Sequence, residues 1–176
     1  MDDRRRKFEE QALPHLDAVH NFARWLTRSP ADAEDIVQEA MLRAFRSFEG
    51  FRGTEIKPWL LAIVRNCFIT SRGKKAGIPV SEADYADSSF IDAAPDPETA
   101  AISADHLRKL NMLVAAIPAD FREVLILREM EDLSYRDIAR ITGSPIGTVM
   151  SRLARGRSIL KQSWLDQVEG ARNAVQ

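Results

Sequence analysis

Five hydrogen-bonding side chains, Thr148, Ser151, Arg152, Arg155 and Arg157, fall within ten residues in the last quarter of the chain. Guanidinium groups donate in pairs to guanine edges or phosphate oxygens, and hydroxyls bond either, so the chemistry implied is nucleic-acid contact. The residues that must position them are equally specific. Ile146, Val149 and Leu153 recur at helical spacing and would pack inward while the polar residues face out. Upstream, Ser134 and Asp137 have the spacing of a capping box, and Ile138, Ala139 and Ile141 supply an apolar side. Gly143 can stop that helix in the left-handed conformation. Ser144 is expected to cap the next helix, with Pro145 in its first turn. Two short helices joined by a glycine turn form a helix-turn-helix, whose second helix, basic on one side, fits the DNA major groove. A solvated helical hairpin with arginines on its outer face would have the same pattern.

Composition narrows the classes. The chain has 176 residues, 45% of them hydrophobic, enough for one domain or two small ones. No apolar run approaches the roughly 18 residues that span a bilayer, and no signal peptide follows the basic start, so a cytoplasmic protein without membrane insertion is expected. Cys67 is the single cysteine, no Cys/His cluster has metal-ligand spacing, and no cofactor or metal is expected. His15, His20 and His106 stand apart without a paired nucleophile, and there is no phosphate-cradling glycine loop, which argues against an enzyme. The apolar neighbours of Cys67 point to a buried, inert thiol. Net charge is −1, but it divides unevenly: residues 1–80 carry +3, residues 81–105 carry −7 with no base, and residues 106–176 carry +3.

Along the chain, residues 8–28 read as helical, with Pro14 marking a break. Ser29-Pro30-Ala31-Asp32 combines a cap, a first-turn proline and an acid three residues on. The helix it opens places Ala33, Ile36, Val37, Ala40, Met41, Ala44, Phe45 and Phe48 on one side. Asp35, Gln38, Glu39, Arg43 and Arg46 fall on the other. The acids at its start also suit the positive end of the helix dipole without any partner. A loop, Gly50 to Glu55, carries Phe51 and Arg52. It leads to a mostly buried helix from Trp59 to about Arg72, whose open strip holds Arg65, Asn66, Ile69 and Arg72. Bases beside an aromatic loop suit a surface that stacks single-stranded nucleic acid, and an ordinary core helix would show the same residues. Periodicity fades over residues 73–103, which have the composition of a flexible acidic tether. A helix using Leu107, Leu110, Val114 and Ile117 follows, stopped by Pro118. Asp120 and Glu123 then have capping-box spacing, opening a helix with Phe121, Val124, Leu125 and Leu127 that ends at Arg128. The C-terminal helix is expected to run to about Trp164. No strand-like alternation is long enough for a sheet. The expectation is an all-α fold of two small helical domains, 8–72 and 104–165, joined by a flexible acidic linker, 73–103.

These blocks, in this order, resemble a bacterial RNA polymerase sigma factor of the extracytoplasmic-function group. Asp32-Ala-Glu-Asp-Ile-Val-Gln-Glu-Ala-Met-Leu-Arg-Ala-Phe45 is similar to regions 2.1 to 2.2 of that family, and Trp59-Leu-Leu-Ala-Ile-Val-Arg-Asn66 to regions 2.3 to 2.4. Ile117 to Met130 is similar to region 4.1, and Leu133 to Leu153 to region 4.2. The resemblance implies a region 2 bundle and a region 4 helix-turn-helix with no catalysis of their own. It implies core RNA polymerase (clamp helices and flap) and promoter DNA as partners, and an anti-sigma factor that holds the chain inactive. Asp35, Gln38 and Glu39 would meet the clamp helices. Phe51, Arg52, Arg65 and Asn66 would hold the opened minus-ten element. Met150, Ser151, Ala154 and Arg155 would read the minus-thirty-five element, with Arg128, Thr148, Arg152 and Arg157 on or near phosphates. Met150 stands where the family often has a base and Ala154 where it often has a larger side chain, so promoter preference is not carried over. The acidic strip is similar to the family linker that enters the polymerase RNA channel, and a solvated spacer would have the same composition. The competing class is a polymerase-independent operator-binding regulator, with a sensor or dimerisation domain in residues 8–72.

Overall fold

The computed structural model describes residues 2–76 and 99–173. Most of the expected tether lies outside the described residues. Its two ends are helical, because α4 continues to Ala76 and α5 already begins at Thr99.

The N-terminal module consists of α1 (Asp2–Ala12), α2 (Leu16–Thr27), α3 (Pro30–Ser47) and α4 (Ile56–Ala76). Pro14 produces the expected break, as a single 3₁₀ turn, Leu13–His15, between α1 and α2. At α3 the Ser29 hydroxyl accepts the Asp32 N–H at 3.3 Å, and Pro30 occupies the first helical position, where its missing N–H costs nothing. Ala33, Ile36, Val37, Ala40 and Ala44 are buried, and Met41, Phe45 and Phe48 pack half-buried against the same core. The Phe8 ring of α1 meets Phe45 and Phe48 edge-on at 5.4 and 5.3 Å, which fastens α1 to the end of α3.

The C-terminal module consists of α5 (Thr99–Ala116), α6 (Ala119–Leu125), α7 (Tyr135–Thr142) and α8 (Ile146–Asn173). A π turn, Ile126–Met130, extends α6, closed by the Glu131 N–H donating to the Ile126 carbonyl at 3.1 Å. The expected capping box at Asp120 and Glu123 does not form. Pro118 stands at the cap without a side-chain bond, Asp120 pairs with Arg152, and Glu123 turns inward to Arg65. Both carboxylates take guanidinium partners instead, where donor and acceptor are both charged, whereas a cap would supply only a neutral backbone N–H. The arginine following Phe121 reinforces the corner, since the Arg122 guanidinium donates to the carbonyls of Ala115 and Ile117 at 2.7 and 3.2 Å. Leu107 and Leu110, expected in the core, are 56% and 37% exposed; Leu113, Val114 and Ile117 are the residues of this stretch that are buried. α8 runs well beyond Trp164, to Asn173, and its 28 residues extend for about 42 Å.

The two modules are not separate bodies. Their buried side chains form one continuous cluster, from Phe22, Leu60 and Val64 on one side to Leu127, Ile138 and Leu153 on the other. α4 packs along α7, and Phe22, Trp25 and Leu26 of α2 face Ala119, Arg122 and Ile126 across a void of about 10 Å³. The sequence pattern alone implied two cores. The merger follows from α4, whose apolar side chains cover too much of its circumference for α2 and α3 to bury.

α8 crosses α6 at Gly156, where an added Cβ would stand 3.2 Å from the Phe121 carbonyl oxygen. Gly156→Val should therefore lower stability by about 1–3 kcal/mol in urea unfolding. Gly147→Ala, whose Cβ would meet nothing within 4 Å, should leave stability unchanged or slightly raised.

Candidate nucleic-acid interface

The helix-turn-helix is built as its residues suggest, with one shift in register. The Ser134 hydroxyl accepts the Asp137 N–H at 3.1 Å and donates to the Asp137 carboxylate at 2.5 Å. Gly143 adopts φ +65°, the left-handed conformation, and its N–H and that of Ser144 both return to the Ala139 carbonyl. Pro145, not Ser144, then stands at the start of α8, since its carbonyl accepts the Val149 N–H at 3.1 Å. The Ser144 hydroxyl is used differently, accepting from Arg152 at 3.2 Å. Val149 and Leu153 are buried as expected, whereas Ile146, in the first turn, is 45% exposed.

The outer strip of α8 presents Met150, Ser151, Ala154 and Arg155, all exposed. Thr148 is half-buried beside them, its carbonyl accepting the Ser151 hydroxyl. Three of the expected phosphate-contacting bases are bound within the protein. Arg152 reaches back to Asp120 at 3.1 Å as well as to Ser144. Arg157 donates twice to Glu129 on the π turn, which raises its already high pKa. Arg128 donates to the Leu133 carbonyl at 2.8 Å and lies over the Tyr135 ring. Among the described residues Arg155 alone of the four arginines at this site (Arg128, Arg152, Arg155, Arg157) has no internal partner.

On the N-terminal module, Phe51 and Trp59 stack with ring centroids 4.8 Å apart and tilted by 37°. Gly53 makes this possible, since a Cβ there would fall 2.6 Å from the Phe51 ring. Beside them opens a groove of about 830 Å³ between the Phe51–Lys57 loop and the α1–α2 corner. Glu10, Gln11 and His15 form its far wall, a contribution that sequence spacing did not signal because it comes from a distant corner. The Arg52 guanidinium curls onto the carbonyls of Glu49 and Phe51. Asn66 is exposed.

Arg65 is not on an open strip. It is 7% exposed, and its Nε donates to Glu123 Oε1 of α6 at 2.7 Å. Burial pushes the Glu123 carboxyl above its usual range, and the Arg65 charge pulls it part of the way back. On α3, Asp35 and Gln38 are exposed, and Glu39 is half-exposed and paired with Arg43 at 2.5 Å. Among the described residues no cluster of His, Cys, Asp and Glu could hold a metal ion, and no helix is long and apolar enough to cross a membrane.

Comparison with known proteins places both modules. Residues 13–77 match the sigma-70 region 2 family model and residues 107–160 the sigma-70 region 4 model. The chain is 36% identical to the extracytoplasmic-function sigma factor EcfG of Rhodopseudomonas palustris, over 91% of this chain and 83% of that one. It is 32% identical to SigE of Mycolicibacterium smegmatis over 88% of its length, but spans only 60% of that longer relative. Among solved structures it resembles the sigma factor RpoE of Bartonella quintana, crystallised with the anti-sigma factor NepR. That match has a TM-score of 0.67 and 28% identity, and covers 90% of this chain and 96% of the other.

Cys67 is 2% exposed, and burial raises its thiol pKa, so little thiolate is available. Ellman's reagent should label the native protein far more slowly than the denatured one, which should yield one equivalent. Rapid labelling without denaturant would mean that the α4 core opens freely.

Proposed function

The chain belongs to the extracytoplasmic-function group of RNA polymerase sigma factors, and from that premise we propose how its surfaces divide the work of starting transcription. It binds core RNA polymerase, directs it to promoters, and carries out no reaction itself. It acts in the cytoplasm, answers a stress or signal, and is held in check by an anti-sigma factor.

The α7–α8 unit enters the major groove at the minus-thirty-five element. What supports this most directly is the exposed strip Met150, Ser151, Ala154 and Arg155, carried on a helix whose opposite residues, Val149 and Leu153, are buried. Arg155 supplies the long base-reading donor, worth roughly 1–3 kcal/mol of discrimination against a wrong base. Met150 and Ala154 add apolar contact, for instance with thymine methyl groups. Thr148, Arg128, Arg152 and Arg157 lie where phosphates would pass. The last three would exchange carboxylate or carbonyl partners for phosphate, so their net gain is smaller than that of a free arginine.

In the N-terminal module, the stacked Phe51 and Trp59 with the adjoining groove receive an unpaired base of the minus-ten element. Extruding a base costs a few kcal/mol, and aromatic stacking with a polar rim of Arg52 and Asn66 offsets it, a rim that Arg65 would join only on giving up Glu123. Asp35, Gln38 and Glu39 form the docking face for the polymerase clamp helices, and the C-terminal module meets the flap.

Run-off transcription with purified core polymerase on a promoter library, with and without this chain, tests the whole reading; absence of chain-dependent transcripts would remove it. Arg155→Ala should lower transcript from the cognate promoter about tenfold and leave core binding unchanged. Reversing charge at Asp35 and Glu39 together should weaken core binding measured by fluorescence anisotropy. Unchanged affinity would leave those acids only their favourable place at the positive end of the α3 dipole.

A further inference from the structure

The groove beside Phe51 and Trp59 has two walls of different chemistry. The loop wall is aromatic, its rings stacked at 4.8 Å. A base lying on such rings gains affinity without identity, because every base has a π-face. Arg52, on the rim, turns its guanidinium to the carbonyls of Glu49 and Phe51. The far wall is polar. Gln11 and His15 line it, one helical turn apart on either side of Pro14. Among the described residues neither side chain has a hydrogen-bond partner. An amide presents a donor and an acceptor side by side, and an imidazole adds an N–H, so together they can match the edge of a base.

Two observations point to a neutral, planar guest rather than a phosphate. Glu10 and Glu55 also line the groove, and the lysine of the lining, Lys57, is already bound to the Glu131 carboxylate at 2.9 Å. Carboxylates repel a phosphate but accept hydrogen bonds from amino groups. The volume, about 830 Å³, lies within the roughly 300–1,000 Å³ typical of sites that hold small organic molecules.

The polar wall is also held in place. The Phe8 ring stands edge-on to Phe45 and Phe48, and Phe48 itself lines the groove. Arg4 closes the end of α3, donating to the carbonyls of Phe45 and Arg46 at 2.8 and 3.1 Å with its guanidinium 4.9 Å from the centre of the Phe45 ring. α1 is thereby fixed to the root of the aromatic loop. Side chains mounted on a helix keep their geometry better than side chains on a loop. Gln11 precedes residue 13, where the match to the region 2 model begins.

We propose that Gln11 and His15 read the edge of the extruded minus-ten base while Phe51 stacks on its face, so that the α1–α2 corner sets which base is accepted. The proposal rests on the promoter-binding reading above. Stacking supplies affinity common to all bases, and the corner supplies the choice among them.

The test is run-off transcription by the full-length chain with core polymerase, on a promoter library randomised through the minus-ten element, with transcripts counted by sequencing. Gln11→Ala and His15→Ala should each flatten the base preference by about tenfold at one and the same position, leaving the other positions as in the parent. Gln11→Glu leaves only acceptors, and should move the preference there away from thymine, whose edge exposes two carbonyls, towards bases that carry an amino group. Phe51→Ala should instead lower transcript from every sequence. Thermal melting checks that the variants fold, and exposed Gln11 carries the test alone if His15→Ala does not. A profile unmoved by the Gln11 variants overturns the proposal. So does an equal loss from all sequences, or flattening at every position, since a merely structural role would give those. A parent that yields no chain-dependent transcript would strike the functional reading itself, and this inference with it.

Discussion

The structure turns on the need to bury most of the surface of α4. Its apolar residues occupy more of the helix surface than α2 and α3 can cover, and a helix hydrophobic nearly all round must lie inside a core. α7 and the stretch from α6 to the π turn supply the missing cover. Once they do, Arg65 points into that contact rather than at water, and a buried guanidinium requires a buried anion. Glu123 provides it. The failure of Glu123 to act in a capping box is therefore a consequence of where α4 lies, not a local peculiarity of α6.

A second constraint shapes the recognition helix. α8 must approach α6 closely enough for Gly156 to pass against the Phe121 carbonyl. Around that crossing, Arg152 binds Asp120 and Arg157 binds Glu129, so two bases near the expected phosphate path stiffen the helix mount before any DNA arrives. Exposed or partly exposed pairs of this kind are worth little individually, which makes their exchange for phosphate inexpensive. Arg155 and its neighbours on the outer strip stay clear of these pairs. Affinity that depends on salt and discrimination that depends on base contact thus rest on different residues of one helix.

The aromatic loop of the N-terminal module shows how a small residue sets a site. Phe51 lies over Trp59 only because Gly53 leaves its ring room. The groove beside them is completed by Glu10, Gln11 and His15, some forty residues earlier in the chain. Periodicity cannot reveal such a wall, since those residues look like the outer face of an ordinary helix end.

By itself the sequence determined the local structure: the Ser29 and Ser134 caps, the break at Pro14, the Gly143 turn, the inner face of α3, the buried Val149 and Leu153 of α8, and the order of the two modules. These depend on backbone preference and on spacing within one element, which neighbouring residues carry. Only the tertiary structure decided the partners of charged side chains. Arg65 looked like the edge of a nucleic-acid surface and is buried against Glu123, and Leu107 and Leu110 looked like core and are exposed. The reason is physical: whether a residue on a helix meets water, an ion or another core depends on what packs there from the far end of the chain, and spacing along one helix does not carry that information.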